Sequence, residues 1–215
     1  MTPTKIKITL KSAATFGSGS GVPGLVDREI EHDPQGFPFL RGKTLKGLLA
    51  ESAENVVFAL KQIQENEQTK NDVNWDAVKE QIFGKGGRGT DERGSLHIGD
   101  AQLSADLRAT AQGWSKEDVL YSLTGIRRQT AINEDGAPDH ASLRSMRVLL
   151  PGVELEAPIT FDKPLAPEQI HLLTAAVLDL RRAGTGRNRG RGWLKAELVD
   201  EKSMQKLFEE FEGAI

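Results

Sequence analysis

Two stretches of this chain carry apolar residues at helical spacing, and each lies between segments where polar and apolar residues alternate. That order constrains the possible fold more than any other feature. From Thr44 the residues Leu45, Leu48, Leu49, Val56, Leu60 and Ile63 recur with charged residues on the other face, which predicts an amphipathic helix that Thr44 can cap. Pro167 to Arg182 predicts a second helix, with Ile170, Leu173, Val177 and Leu180 on one stripe and Gly184 ending it. Lys5 to Leu10 places Ile6, Ile8 and Leu10 on one face, the pattern of a half-buried strand. Ser95 to Leu103, Arg147 to Ile159 and Trp193 to Val199 read as further strand segments.

A striped helix must bury its apolar side against a sheet or another helix. The order strand, helix, strand, long insertion, strand, helix, strand therefore predicts an α+β, ferredoxin-like domain built on the split βαβ pattern, a topology shared by RNA-recognition motifs. The 215 residues, 38% of them hydrophobic, suit one such domain. Its palm is expected over 1–104 and 147–200, an irregular insertion that includes Gly125 to Arg128 over about 105–146, and an amphipathic tail over 201–215. Val26 to Ile30 and Phe37 to Leu40 read as the arms of a hairpin around Asp33-Pro34-Gln35-Gly36. The glycine-rich run from Gly17 to Gly24 reads as a loop.

Composition narrows the function classes. The chain has no cysteine, which excludes disulfides and thiolate metal sites and points to a reducing cytoplasm. MTPTKIKITLKS lacks the continuous apolar run of a leader or membrane span, so a soluble protein with no membrane partner is expected. The four histidines, His32, His97, His140 and His171, stand singly without metal-ligand spacing. Net charge is −3, yet RRAGTGRNRGRG (Arg181 to Gly192) holds five arginines and no acid, and the tail after Val199 is acidic. Such segregation predicts one anionic partner met on one face.

Four places are candidates for chemistry. The arginine-glycine segment either grips a nucleic-acid backbone or is a solvated connection, and Arg181 and Arg182 can also serve a helix dipole. Arg41-Gly42-Lys43-Thr44 opens the first helix, where free N–H groups favour a phosphate and Lys43 and Lys46 add charge; a plain N-cap is the alternative. A nucleotide-binding Walker loop, which would make the chain an NTPase, fits poorly, because five residues rather than four separate Gly36 from Gly42, with Pro38 among them. Asp27 after the glycine run presents a carboxylate to a ribose or a divalent cation, or is a turn residue. Trp193 and Phe16 are suited to base stacking or to the core.

Several motifs recur together in order: IKITLKSAATFGSGSG, FPFLRGKTLKGLLAE, IFGKGG, GSLHIGDAQL, TAINEDGAPDHASLR and GTGRNRGRGWLKAEL. In this order they resemble the repeated backbone subunit, of the RAMP superfamily, in type III CRISPR effector complexes. The resemblance implies a modified RNA-recognition palm with a thumb, assembled beside sister subunits and other complex proteins along a CRISPR guide RNA that pairs with target RNA. It implies guide contacts at Thr44, Lys46, Gly184, Gly186, Arg187, Arg189 and Arg191, to which the helix-opening Gly42 and Lys43 and, at the thumb position, Arg127 and Arg128 are added as RNA-binding candidates. It also implies that Asp27 is the catalytic residue of an endoribonuclease that uses a divalent cation, Mg²⁺, and the target's own 2′-hydroxyl; the metal ligands are not specified. The alternative within the same family is a non-catalytic RNA scaffold. Arg41 and Lys43 depart from the proline and serine of many relatives.

Overall fold

The computed structural model describes residues 3–67, 73–85, 93–131, 133–137 and 142–199. Its elements are β1 (Lys5–Leu10), α1 (Gly42–Glu67), α2 (Trp75–Phe83), β2 (Leu96–Ile98), α3 (Ala105–Thr110), α4 (Lys116–Leu123), β3 (Thr124–Gln129), β4 (Arg144–Leu149), β5 (Glu154–Phe161), α5 (Pro167–Asp179) and β6 (Leu194–Val199). Four strands form one sheet in the order β2-β5-β1-β6, every neighbouring pair antiparallel. β1–α1–β2 and β5–α5–β6 each return to a parallel strand with one strand between, so the ferredoxin-like α+β expectation holds.

Strand alternation decides which face is covered. Ile6, Ile8 and Leu10 of β1, Leu155, Ala157 and Ile159 of β5, and Leu194, Ala196 and Leu198 of β6 are all buried, on the face against which α1 and α5 pack. The α1 stripe is Leu45, Leu49, Ala53, Val57 and Leu60, while Ile63 is 37% exposed. The predicted stripe thus stops one turn early. α5 is buried over most of its circumference, Leu172 to Val177 included, which explains its high apolar content.

Three sequence expectations are corrected. Gly125 to Arg128 is no irregular excursion but part of β3, paired along its length with β4. Arg147 to Ile159 is two strands, β4 and β5, separated by a turn at Pro151-Gly152. Val26 to Ile30 pairs not with Phe37 to Leu40 but with the glycine run: Gly17 bridges Ile30, Val22 bridges Val26, and Pro23-Gly24 make the tight turn between. The Asp33 turn does form, with His32 bridging Pro38, and α3 is pinned to it by Arg108, which pairs with Asp33 (2.7 Å) and stacks on Phe37. The 201–215 tail lies outside the described residues. Among those described, no helix is long and apolar enough to cross a membrane.

α1 begins two residues before Thr44. The Gly42 N–H donates to Asp100 Oδ1 at 2.8 Å, so the cap comes from the segment after β2. A Cβ at Gly42 would lie 2.2 Å from the Ile98 carbonyl oxygen, whereas one at Gly47 would meet nothing within 4 Å. Two glycines in one helix therefore respond oppositely to alanine. Gly47→Ala should raise stability by about 1 kcal/mol, and Gly42→Ala should lower it by about 1–3 kcal/mol, as read from denaturant unfolding midpoints.

Candidate nucleic-acid interface

The open face of the sheet is not a stacking platform. β1 and β5 present Lys5, Lys7, Thr9, Glu154, Glu156 and Pro158 there, joined by Lys5–Glu156 and Lys7–Glu154 ion pairs, both 2.9 Å. An RNA-recognition motif stacks bases on aromatic residues at this face; here charge pairs replace them. Phe16 is buried in the core and Trp193 is 55% exposed at the start of β6.

A groove of about 800 Å³ lies instead between the Asp27 segment, the β3–β4 hairpin and the arginine-glycine loop. Arg28, Arg144, Arg187, Arg189 and Arg191 line it, and among the described residues Asp27 is its one acidic lining residue. Two sequence candidates far apart in the chain, Asp27 and the Gly184 to Arg191 loop, thereby share one site. Asp27 is fixed by Ser145, whose N–H and Oγ both donate to Oδ2 at 2.5 and 3.0 Å, while the Asp27 N–H donates to the Ser145 carbonyl at 3.0 Å. The Ser145 backbone bond first, then its hydroxyl, hold the Asp27 carboxyl below the usual carboxylate range, and the Arg144 charge adds to this. The side chain is exposed and ionised. Among the described residues no group of three or more histidine, aspartate or glutamate side chains is placed to hold a metal ion.

The arginine-glycine loop is ordered by its own backbone. Arg182 bridges Trp193 at its base, the Thr185 N–H donates to Thr15 O (2.9 Å), and Arg189 N–H to Gly186 O (2.8 Å). α5 ends at Asp179, so Gly184 does not terminate it. Gly184 instead has φ +89°, and a Cβ there would sit 2.6 Å from Thr15 O; only glycine permits this approach. Burial, then the charges of Arg127 and Arg189, depress Arg191 below the usual guanidinium value. Like charges gathered this closely make a site for an anion.

Arg127 and Arg128, adjacent on β3, point to opposite faces, and neither lines the groove; Arg127 shares a strand face with Gln129, which does, and its charge reaches Arg191. Thr44 and Gly47 line a smaller cavity of about 430 Å³ that shares Gly184 and Arg187 with the groove. Gly42, Lys43 and Lys46 are brought to neither. The Gly42 N–H is engaged by Asp100, which removes the first donor of a phosphate cradle or Walker-type loop. Lys43 is exposed elsewhere, and Lys46 Nζ donates to Leu96 O at 2.7 Å, its burial lowering its basicity.

Sequence reading missed Ser145, Arg28, Arg144 and Glu51. Glu51, on α1, holds Arg187 through two bonds of 3.0 and 2.9 Å. The alternating Arg144-Ser-Met-Arg147 run was the available signal for the hairpin residues; nothing local marks Glu51.

The profile of the RAMP superfamily matches residues 7–195. A chain of the cryo-EM structure of the type III-B Cmr-beta complex in the apo state has a similar fold, with TM-score 0.64, 11% identity, and coverage of 92% of this chain and 97% of that one. A chain of the type III-B Cmr-beta structure bound to cognate target RNA is similar at TM-score 0.64 and 11% identity, covering 96% and 99%. No curated protein sequence matches.

The Asp27–Ser145 geometry makes a prediction of its own. Ser145→Ala removes one of the donors that favour the ionised carboxylate, so the Asp27 titration midpoint should rise toward the ordinary value while the retained N–H keeps part of the depression. Carboxyl ¹³C NMR across acid pH checks it.

Proposed function

The chain belongs to the RAMP superfamily, and from that premise we propose that it binds guide RNA as a backbone subunit of a cytoplasmic type III CRISPR ribonucleoprotein, beside sister subunits and other complex proteins. The observation that carries this reading is the groove that Arg28, Arg144, Arg187, Arg189 and Arg191 line together with Asp27. On a chain of net charge −3, a cluster of arginines in one trough suits a polyanion met on one side. Chains of similar fold come from type III-B complexes, one of them with target RNA bound, which agrees with guide and target RNA as ligands.

Within this reading the subunit also cuts target RNA. The 2′-oxygen of one ribose attacks the adjacent phosphorus, the P–O5′ bond breaks, the 2′ proton passes to solvent and O5′ gains one. The products then end in a 2′,3′-cyclic phosphate and a 5′-hydroxyl, and DNA is spared because it lacks the attacking oxygen. A carboxylate held below its ordinary range is a weak proton acceptor, so the part of Asp27 is to carry charge beside the phosphate. Mg²⁺ is commonly held by one or two carboxylates together with phosphate oxygens. Asp27 is the residue of the groove that would hold it, and the bound ion would offset charge on the phosphate.

A second reading is a non-catalytic RNA scaffold. It is favoured by the engagement of the Asp27 carboxylate with Ser145, which gives Asp27 a purely architectural use. Asp27→Asn in the assembled complex separates the two. Loss of Mg²⁺-dependent cleavage by at least about 100-fold, with target binding unchanged, assigns catalysis; unchanged cutting, or no cutting by either protein, leaves the architectural role.

RNA binding itself is tested by salt. Changing Arg187, Arg189 and Arg191 together to alanine should weaken single-stranded RNA binding and flatten the log–log salt slope by about 2, at roughly 0.7 per phosphate contact. An unchanged slope would remove the loop from the RNA path.

A further inference from the structure

Arg187 stands where three hollows meet. It lines the Asp27 groove, the smaller cavity beside Thr44 and Gly47, and a third of about 340 Å³ between α1 and the end of α5. Glu51 meets it fork to fork, Nη1 to Oε2 at 3.0 Å and Nη2 to Oε1 at 2.9 Å. This planar, two-bond geometry is the one by which arginine takes a phosphate.

The pair contributes little to the fold. Its side chains are 36% and 57% exposed, and exposed ion pairs are weak and screened by salt. The loop also keeps its shape by other means: Arg182 Nη1 donates to the Arg187 carbonyl, Arg189 N–H to Gly186 O, and Thr185 N–H to Thr15 O. One turn before Glu51, Gly47 leaves the surface of α1 bare into open space. A helical glycine with no packing neighbour costs helix stability, so the fold itself gives no reason for that bare surface.

We infer that Glu51 occupies Arg187 in place of an RNA phosphate, and that a phosphodiester of single-stranded RNA entering over Gly47 displaces it. This rests on the RNA-binding reading above. Glu51 is then a positioning and specificity residue. It keeps Arg187 aimed at the junction while the groove is free of RNA, and it disfavours an isolated phosphate, which brings one contact. A strand supported by Arg189 and Arg191 at neighbouring phosphates gains enough to take the guanidinium over.

The test is fluorescence anisotropy of a labelled single-stranded RNA against the full chain, comparing wild type, Glu51→Gln, Arg187→Ala and the double variant. Glu54→Gln is the charge control, because Glu54 lies three residues along α1, pairs with Lys79 and lines none of the three hollows. Glu51→Gln should bind about threefold or more tightly, Glu54→Gln should match wild type, and Glu51→Gln should give no gain once Arg187 is alanine. Inorganic phosphate should compete better against Glu51→Gln than against wild type. Weaker binding by Glu51→Gln, an equal gain with and without Arg187, or an equal gain from Glu54→Gln overturns the proposal alone. Absence of RNA binding by every protein overturns the RNA-binding reading, and the proposal with it.

Discussion

The buried ion pair between Glu29 and Arg147 is the joint on which the groove depends. The two side chains meet at 2.8 Å and are 7% and 11% exposed. Arg147 also donates to Thr124 Oγ1 on β3, and its carbonyl accepts from Thr15 Oγ1. A buried pair of this kind adds little net stability over apolar packing, but losing one partner strands a charge at a cost of about 3–5 kcal/mol. Its use is to make one arrangement of loop and hairpin far better than any other. Arg28 and Met146 form a parallel bridge, so the period of two along each segment puts Asp27 with Ser145 on one side of the bridge and Glu29 with Arg147 on the other. The buried pair fixes the register and the exposed pair inherits it.

That joint also explains why the basic groove lies away from the sheet. α1 and α5 cover one face of β2-β5-β1-β6. On the other, lysines and glutamates neutralise each other across β1 and β5. The charges of the open face are balanced, and its exposed aromatic ring, Trp193, stands at the margin before β6. The excess of positive charge is gathered where the Asp27 segment, the hairpin and the loop before β6 converge, all three tied to the palm by backbone bonds. A chain with a negative total can therefore present a basic trough.

Long elements were legible because their periodicity repeats. Six apolar residues at helical spacing identified α1, four identified α5, and three on one face identified β1, since burial of a whole stripe outweighs local preferences. The ends were not legible, because they are set by distant partners: Asp100 capping Gly42, and Trp193 drawing Arg182 out of the helix. β3 was missed because Arg127 and Arg128 on its two faces are both exposed, so no apolar alternation marks it. At the site, the residue types were readable and their company was not. Asp27 and Ser145 are 118 positions apart, and only the folded joint brings them together; Glu51 and Arg187 are 136 apart. Lys46 shows the converse, a cation of the right type turned to the β2 carbonyl because helical rotation carries it away from Thr44.

The groove is only partly neutralised by the protein itself. Glu51 answers Arg187, and Asp27 spends its charge on Ser145 and on the nearby Arg144. Arg191 remains close to both Arg127 and Arg189, and it registers the repulsion as well as its own burial. Repulsion of this sort is carried by the folded state and relieved when an anion enters. Any ligand that binds the folded chain and not the unfolded one then stabilises it by mass action. The residues that carry this repulsion in the free chain are thus the ones at which an entering anion would relieve it. The pairing of Glu51 with Arg187 limits that cost at one position without closing the site.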